Sequence, residues 1–384
     1  MHYFVLLLFA GTALVWLAVA VDMALGFPLI PCLANYPPLR DEECPRISVL
    51  FAARDEAEKL PAALETLLSM DYPNYEVIAV DDRSEDGTQT ILKKAAAKNP
   101  RLKALRVDSL PAGWLGKPHG LQNAYESASG EWLIFTDADV SFAPDLLRRV
   151  AALARAKLWD HISLLGYVEM PTVGEKIALT FFGFAFALGV RPWRVSVPDS
   201  GSYMGVGAFQ MIRREAYEKL GTHRRLAMEV VDDIRLGKLA KMSGAKSGVG
   251  IAGRSVSLRW HAGVRGIVHG TTKNFFAVAN FQVWRVVMQV VGLLLLNVLP
   301  FAALPFVRGW TLAFAAIAAG FAMAVQAGVS IKLEVPPAYA LTHPIGALIL
   351  IWMLVRSTIV TLRQGGIIWR GTFYPIEELK RGAV

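Results

Sequence analysis

Two apolar blocks bracket this chain and decide what it can fold into. Residues Tyr3 to Leu25 are nearly all apolar, broken only by Asp22 and a few small residues, and the chain turns apolar again from Phe275. A stretch of roughly 20 such residues is long enough to cross a bilayer as a helix. Candidate spans in the second block are Val286 to Val307, Trp310 to Ile331 and Pro344 to Leu362, in which Arg356 is the one charged residue. A secretory leader fits the first block poorly, because no Lys or Arg precedes it and no small-residue cleavage site is clear. What lies between the blocks must therefore be a water-facing domain held at a membrane. The composition agrees: of 384 residues, 54% are hydrophobic and 19% charged. That is too apolar for an ordinary soluble enzyme and too charged for a pure membrane bundle.

Orientation follows from the basic residues. Arg40 and Arg46 follow the first block, so the positive-inside rule puts the N-terminus outside and the next domain in the cytoplasm, the side expected of a bacterial inner-membrane protein. The tail, with Arg363, Arg370, Lys380 and Arg381, asks to be cytoplasmic too. Three further spans would place it on the opposite face. Either one segment is re-entrant, or one is split around Pro300 or Pro305. Trp310, Trp352 and Trp369 are candidate interfacial anchors. The net charge of +8 suits an anionic partner, either membrane lipid or a phosphorylated substrate. Nucleic acid is not expected, because no dense Lys/Arg run is interleaved with aromatics. The two cysteines, Cys32 and Cys44, make neither a disulfide framework nor a zinc set.

The middle of the chain alternates short apolar runs with amphipathic stretches. ISVLFAA (Ile47 to Ala53), YEVIAV (Tyr75 to Val80), LKALRV (Leu102 to Val107), Trp132 to Thr136 and Ser163 to Val168 read as strands. Helical spacing runs over Lys59 to Met70, Gly87 to Lys98, Pro118 to Ala128, Pro144 to Ala154 and Glu229 to Lys241. Strand–helix alternation with short links predicts an α/β fold with a doubly wound, mostly parallel sheet. The expected organisation is an anchor over 1–26, a proline-rich linker over 27–45, the α/β domain over 46–274, membrane helices over 275–363 and a basic tail over 364–384. Ile177 to Val190 is apolar but short for a span. Arg191, Trp193 and Arg194 beside it favour a helix lying on the membrane surface.

Ligands of such sheets bind beyond the carboxyl ends of the strands. Acid-bearing turns sit at these ends. In EWLIFTDADV, Asp137 and Asp139 leave a buried strand, and two neighbouring carboxylates invite Mg²⁺ or Mn²⁺, hard ions that share oxygen ligands with phosphates. Taken alone, D-x-D is more often a solvated turn. Asp81 and Asp82, in AVDDRSEDGT, end the second strand, where a carboxylate can accept from a base imide or a ribose hydroxyl, or simply cap a turn. The loop AARDE (Ala52 to Glu56) ends the first strand and can wrap the same base. Lys117, in GWLGKPHG, can neutralise a diphosphate, although no Walker A loop is present. Asp232 and Asp233 stand in the first turn of a helix, where acids are favourable in any case.

AVDDRSEDGT, TDAD and the later VVDD together resemble a family 2 inverting glycosyltransferase of the GT-A fold, over Arg46 to about Asn274. GWLGKPHG and the tail IIWRGTFYP are similar to membrane members such as ceramide glucosyltransferase and the bacterial carotenoid- and hopanoid-associated enzymes. The resemblance implies transfer of a sugar from a nucleoside-diphosphate donor, expected to be a UDP-sugar, to a lipid or lipid-linked hydroxyl. It assigns Ala52, Arg54 and Glu56 to the nucleotide loop, Asp82 to the base, Asp137 to the sugar nucleotide, Asp139 to the metal and Asp233 to general-base duty. Asp232 stands where the family carries Glu, and its shorter side chain puts acceptor contact in doubt. Of the membrane motif Q/R-x-x-R-W only Arg259 and Trp260 are present, with Val256 in the first position; Trp260 is assigned to the acceptor end. His261 and His269 read as structural rather than metal-binding. Rival readings are a processive polysaccharide synthase, disfavoured by the absent glutamine gate and the few spans, and a non-catalytic scaffold or transporter.

Overall fold

β-Branched and aromatic runs flanked by turn residues give the strands their places. In the computed structural model, which describes residues 2–382, they are β1 (Ile47–Ala53), β2 (Tyr75–Asp82), β3 (Leu102–Val107), β4 (Trp132–Phe135), β5 (Ser141–Phe142), β6 (His161–Val168), β7 (Gln210–Arg213) and β8 (Ser247–Leu258). They form one eight-stranded sheet in the order β3-β2-β1-β4-β7-β6-β8-β5. β3, β2, β1 and β4 are mutually parallel, β7 runs antiparallel to β4 and β6, and β6 is parallel to β8. This is a GT-A-like mixed, mostly parallel sheet with helices on both faces. β1 and β4 are buried along most of their length, as central parallel strands must be. Phe51, Ile134, Leu64 and Leu146 pack one face; Leu50, Leu133, Leu121 and Leu236 pack the other.

The parallel half sends the ends of β1, β2 and β4 to one edge. The predicted helices follow with small shifts: Leu60–Leu68, Thr88–Lys98, Gly116–Glu126, Leu146–Lys157 and Asp232–Met242. The last starts at Asp232 rather than Glu229, so the two aspartates are its first residues. Residues 27–45 are not a loose linker. Leu33 is fully buried, Cys32 bridges to Ile251 of β8, and Arg148 and Arg149 donate to the carbonyls of Leu39, Ala34 and Tyr36.

Among the described residues, five helices are long and apolar enough to cross a membrane: Tyr3–Leu29, Val173–Arg194, Val283–Ala303, Gly309–Lys332 and Pro337–Gln364. The third is not one regular helix. It widens into a π-turn at Leu294–Val298 just before Pro300, where proline removes an N–H from the ladder. Several helix ends return to the α/β domain. Arg191 at the end of Val173–Val190 pairs with Asp22 at 2.6 Å, and the start of that helix is seated on the domain through Glu175, which accepts from Arg259. Glu334, just past Gly309–Lys332, pairs with Arg254 of β8 at 2.7 Å. Ser357, within His343–Gln364, donates to Thr272 O and accepts from Phe276 N. Ile345, Leu348, Trp352, Ile359 and Leu362 leave one apolar stripe of that helix exposed.

The tail departs most from expectation. Its last two residues, 383–384, lie outside the described residues. The rest is an antiparallel hairpin, β9 (Gly366–Trp369) and β10 (Thr372–Pro375), followed by a short helix, Ile376–Arg381. Ile367, Tyr374 and Leu379 are buried in a cluster with Leu115, Met204 and Val230. Trp369 is therefore not a membrane anchor. It lies under the Lys273 ammonium, which sits 3.5 Å from its ring centroid.

Candidate active site

Three acidic residues from distant parts of the chain meet around one ammonium. The Gly116–Glu126 helix starts on the loop edge of the sheet and points Lys117 across the end of β4. Its Nζ lies 2.7 Å from Asp137 Oδ1 and 3.6 Å from Asp232 Oδ2. Burial opposes this charge, but Asp137, Asp232 and Asp233 outweigh it and hold Lys117 above its ordinary value. The same balance, led by burial and reversed by Lys117, Lys273 and Lys59, holds Asp137 below the usual carboxylate range. The backbone approaches as closely as the side chains do. A Cβ on Gly207 would stand 2.6 Å from Asp137 Oδ2 and 3.2 Å from Asp233 Oδ2, so only glycine fits between the two acids.

Asp232 and Asp233 differ in what they face. Asp232 is buried beneath Lys117. Asp233 is half-buried and held by two backbone donors, Gly207 N on Oδ2 and Ile234 N on Oδ1, each at 2.8 Å. Burial raises both carboxyls, with Lys117 opposing and neighbouring acids adding to the rise. A carboxylate oriented by two N–H groups, with lone pairs left over and a raised pKa, is chemically suited to accept a proton. Lys273, placed by the turn after the Gly263–Gly270 helix, faces the same acids; burial first, then the Lys117 charge, lowers it to about 8.

Asp139 sits beside this cluster on the other side of the TDAD turn. Lys59 Nζ contacts its Oδ2 at 2.7 Å. Among the described residues no three His, Cys, Asp or Glu side chains converge into a cage for a metal ion. The donors present, Asp137 and Asp139, are hard oxygens, and the ammonium on Asp139 shows that a cation is accommodated at that carboxylate. The set fits a divalent ion that shares its ligands with a diphosphate, and does not fit an all-protein metal site.

The β1 and β2 ends line the same cleft. A Cβ on Gly116 would overlap Asp82 Oδ2, so Gly116 touches Asp82 while its neighbour Lys117 touches Asp137. Asp82 is buried and gripped by Arg83 at 2.7 and 3.1 Å, and Asp81 is buried against Arg106. Ala52 packs under Gly120. Arg54 donates to Thr372 Oγ1 at 3.2 Å, and Glu56 pairs with Arg370, both partners being on the tail hairpin. Trp260 is half-buried, 5.0 Å from the Phe182 ring and 5.6 Å from His261. Its neighbour Arg259 holds Glu175 at 3.0 Å, a link within the fold rather than to the acid cluster. His261 feels Lys59, Lys273 and Asp139.

Lys59, Gly207, Lys273 and the tail hairpin are the parts that motif reading missed. Lys59 opens an amphipathic helix, where a lysine is unremarked. Lys273 follows His269 in a stretch that carries no motif, and Arg370 lies within IIWRGTFYP, noted for resemblance with no role attached.

Comparison with known proteins bears on the fold and on the family of its central stretch. Residues 48–221 match the family model Glycosyl transferase family 2. Over this stretch, less than half of the chain, the sequence is similar to family 2 glycosyltransferases. A beta-monoglucosyldiacylglycerol synthase of Trichormus variabilis is 35% identical over 183 residues, which is 46% of this chain and 37% of that protein. A 4,4'-diaponeurosporenoate glycosyltransferase of Staphylococcus haemolyticus is 25% identical over 194 residues, half of each chain. The chain thus spans half or less of the length of these relatives. Among solved structures, a mannosyltransferase of Pyrobaculum calidifontis in complex with GDP-Man and Mn²⁺ superposes with a TM-score of 0.51, covering 93% of this chain and 99% of its own at 20% identity. At that identity the likeness speaks for the fold.

Proposed function

We propose that the chain transfers a sugar from a nucleoside-diphosphate donor, most simply a UDP-sugar, to a lipid hydroxyl at the membrane surface, with inversion at the anomeric carbon. The observation that carries this reading is the convergence of TDAD, the VVDD helix and Lys117 on one half-open cluster, in a domain similar to family 2 glycosyltransferases and flanked by apolar helices. Two relatives named for lipid glycosylation support the acceptor class.

In this reading Asp233 accepts the proton of the acceptor hydroxyl as that oxygen attacks the anomeric carbon, and one displacement completes the reaction. The two N–H groups on Asp233 fix its direction, and Gly207 keeps Asp137 and Asp233 one backbone apart. Asp137 orients the donor sugar, and Lys117 holds Asp137 and Asp232 in register. Asp232 is buried and positions rather than reacts. Ala52, Arg54, Glu56 and Asp82 form the nucleotide wall. Asp139 would hold Mg²⁺ or Mn²⁺, which when bound offsets charge on the departing nucleoside diphosphate. Trp260 and Phe182 offer an apolar approach from the Val173–Val190 helix, which we read as lying in the membrane surface, its start seated on the α/β domain through Glu175 and its end on Asp22 near the close of the first apolar helix.

The same reading gives the tail an orientation. Glu334 and the 366–381 hairpin unit both contact the α/β domain, so the intervening His343–Gln364 helix returns to the side it left. Only Tyr3–Leu29, Val283–Ala303 and Gly309–Lys332 then cross, and the tail stays with the catalytic domain.

The test is transfer by detergent-solubilised protein against a panel of nucleotide sugars, with total membrane lipid and with or without Mn²⁺. Metal-dependent appearance of sugar label in the lipid phase is expected. Label released only as free sugar or built into a water-soluble polymer, with none in lipid, contradicts the proposed acceptor.

A further inference from the structure

The tail hairpin touches each wall of the cleft. Thr372 accepts from Arg54, and Arg370 reaches both the carbonyl of Asp55 and the carboxylate of Glu56. Tyr374 lies beside Arg83, which grips Asp82. Trp369 underlies Lys273, which faces the catalytic acids. The hairpin is seated firmly, since Ile367 and Tyr374 are buried on its inner side.

Its turn is the informative part. Arg370 and Gly371 both have positive φ, +47° and +76°. A two-residue turn of this kind favours Asn, Asp or Gly in its first position, and a left-handed arginine costs about 1 kcal/mol. The cost is explained if the side chain itself is needed there. The Arg370 side chain stays 43% exposed even while paired with Glu56. Arg370 lies near enough to His261 for its charge to act there together with those of Lys59, Lys273 and Asp139. A planar fork of N–H donors matches phosphate oxygens better than any other side chain does.

We propose that Arg370, presented by the tail hairpin, is a donor-binding residue that contacts the diphosphate of the nucleotide sugar, trading Glu56 for phosphate when the donor arrives. This rests on the glycosyltransferase reading above and adds a wall to the donor site that lies outside the matched family domain. It also makes the membrane helix preceding the hairpin part of the donor site's scaffold.

The experiment is calorimetric titration of the full-length protein in detergent with UDP plus Mn²⁺, with GDP and uridine in parallel. Wild type is compared with Arg370→Ala, Arg370→Lys and the charge swap Glu56→Arg/Arg370→Glu. Loss of a charge-assisted contact to phosphate should weaken binding of the diphosphate about tenfold or more. Uridine binding should stay unchanged, and Arg370→Lys should recover part of the loss. The swap rebuilds the ion pair but not the phosphate contact, so it should remain weak. UDP affinity within twofold of wild type in Arg370→Ala, or full recovery by the swap, would reduce Arg370 to a clasp on the fold and overturn this inference alone. Wild-type protein that binds neither UDP nor GDP overturns the sugar-nucleotide reading and this inference with it.

Discussion

Lys117 Nζ stands 2.7 Å from Asp137 Oδ1 and thereby ties the strand-end Asp137 to the Asp232–Met242 helix, whose Asp232 lies 3.6 Å away on the other side. One side chain so joins segments more than 100 residues apart. Removing it leaves the buried Asp232 and the half-buried Asp137 and Asp233 facing one another with Lys273 as the nearest remaining counter-charge. Lys117→Met should lose about 1–3 kcal/mol of stability, below the scale for a fully buried ion pair because Asp137 is partly exposed to solvent. The sign with pH is set by the acids. Without Lys117, Asp232 and Asp233 rise further, so the folded state holds protons that the unfolded chain has released. The variant should be least impaired near pH 4–5 and lose stability as pH rises through the raised carboxyl range. Thermal melts of variant and wild type across pH check this; a pH-independent difference contradicts it.

Asp233→Asn should abolish transfer, by roughly 10²–10⁴-fold, while leaving nucleotide affinity nearly intact, because the amide cannot take a proton. Turnover and nucleotide titration on the same preparation separate the two effects. Loss of nucleotide binding in this variant would count against base duty.

Gly207→Ala places a methyl 2.6 Å from Asp137 Oδ2, closer than real contacts allow. The acids must part, so turnover should fall at least tenfold with little change in melting temperature. An active Gly207→Ala enzyme would mean that the spacing of Asp137 and Asp233 is not critical.

Lys273 is lowered by burial and by Lys117 to about 8. Its charge is present below that pH and lost above it, so the part of donor affinity it supplies should fade on the alkaline side. Lys273→Arg, which does not deprotonate in this range, should move the alkaline limb of the pH profile upward. A profile that Lys273→Arg leaves unmoved would assign the limb elsewhere.

Much of this was legible in sequence, for physical reasons. Strand–helix alternation fixes the parallel half of the sheet, and TDAD, DDRS and VVDD announce themselves as carboxylates at strand ends and a helix start. Chelation removal should agree with that part: if Asp139 carries the ion, EDTA should suppress donor binding in wild type, and Asp139→Ala should be insensitive to it. What was hidden depends on long-range return of the chain. Lys59 is one lysine on an ordinary amphipathic helix until β4 brings Asp139 to it. Trp369 has the composition of a membrane anchor, and only the hairpin's fold against Lys273 gives it another place. The number of spans was ambiguous because length and apolarity cannot distinguish a crossing helix from one that returns to its own side.

The most direct test of the central claim is the anomeric configuration of the lipid product formed from an α-linked nucleotide sugar, read from the proton coupling constant by NMR. Single displacement assisted by Asp233 predicts a β-linked glycolipid from wild type and none from Asp233→Asn. An α-linked product, or a lipid product still made by Asp233→Asn at wild-type rate, would contradict the account.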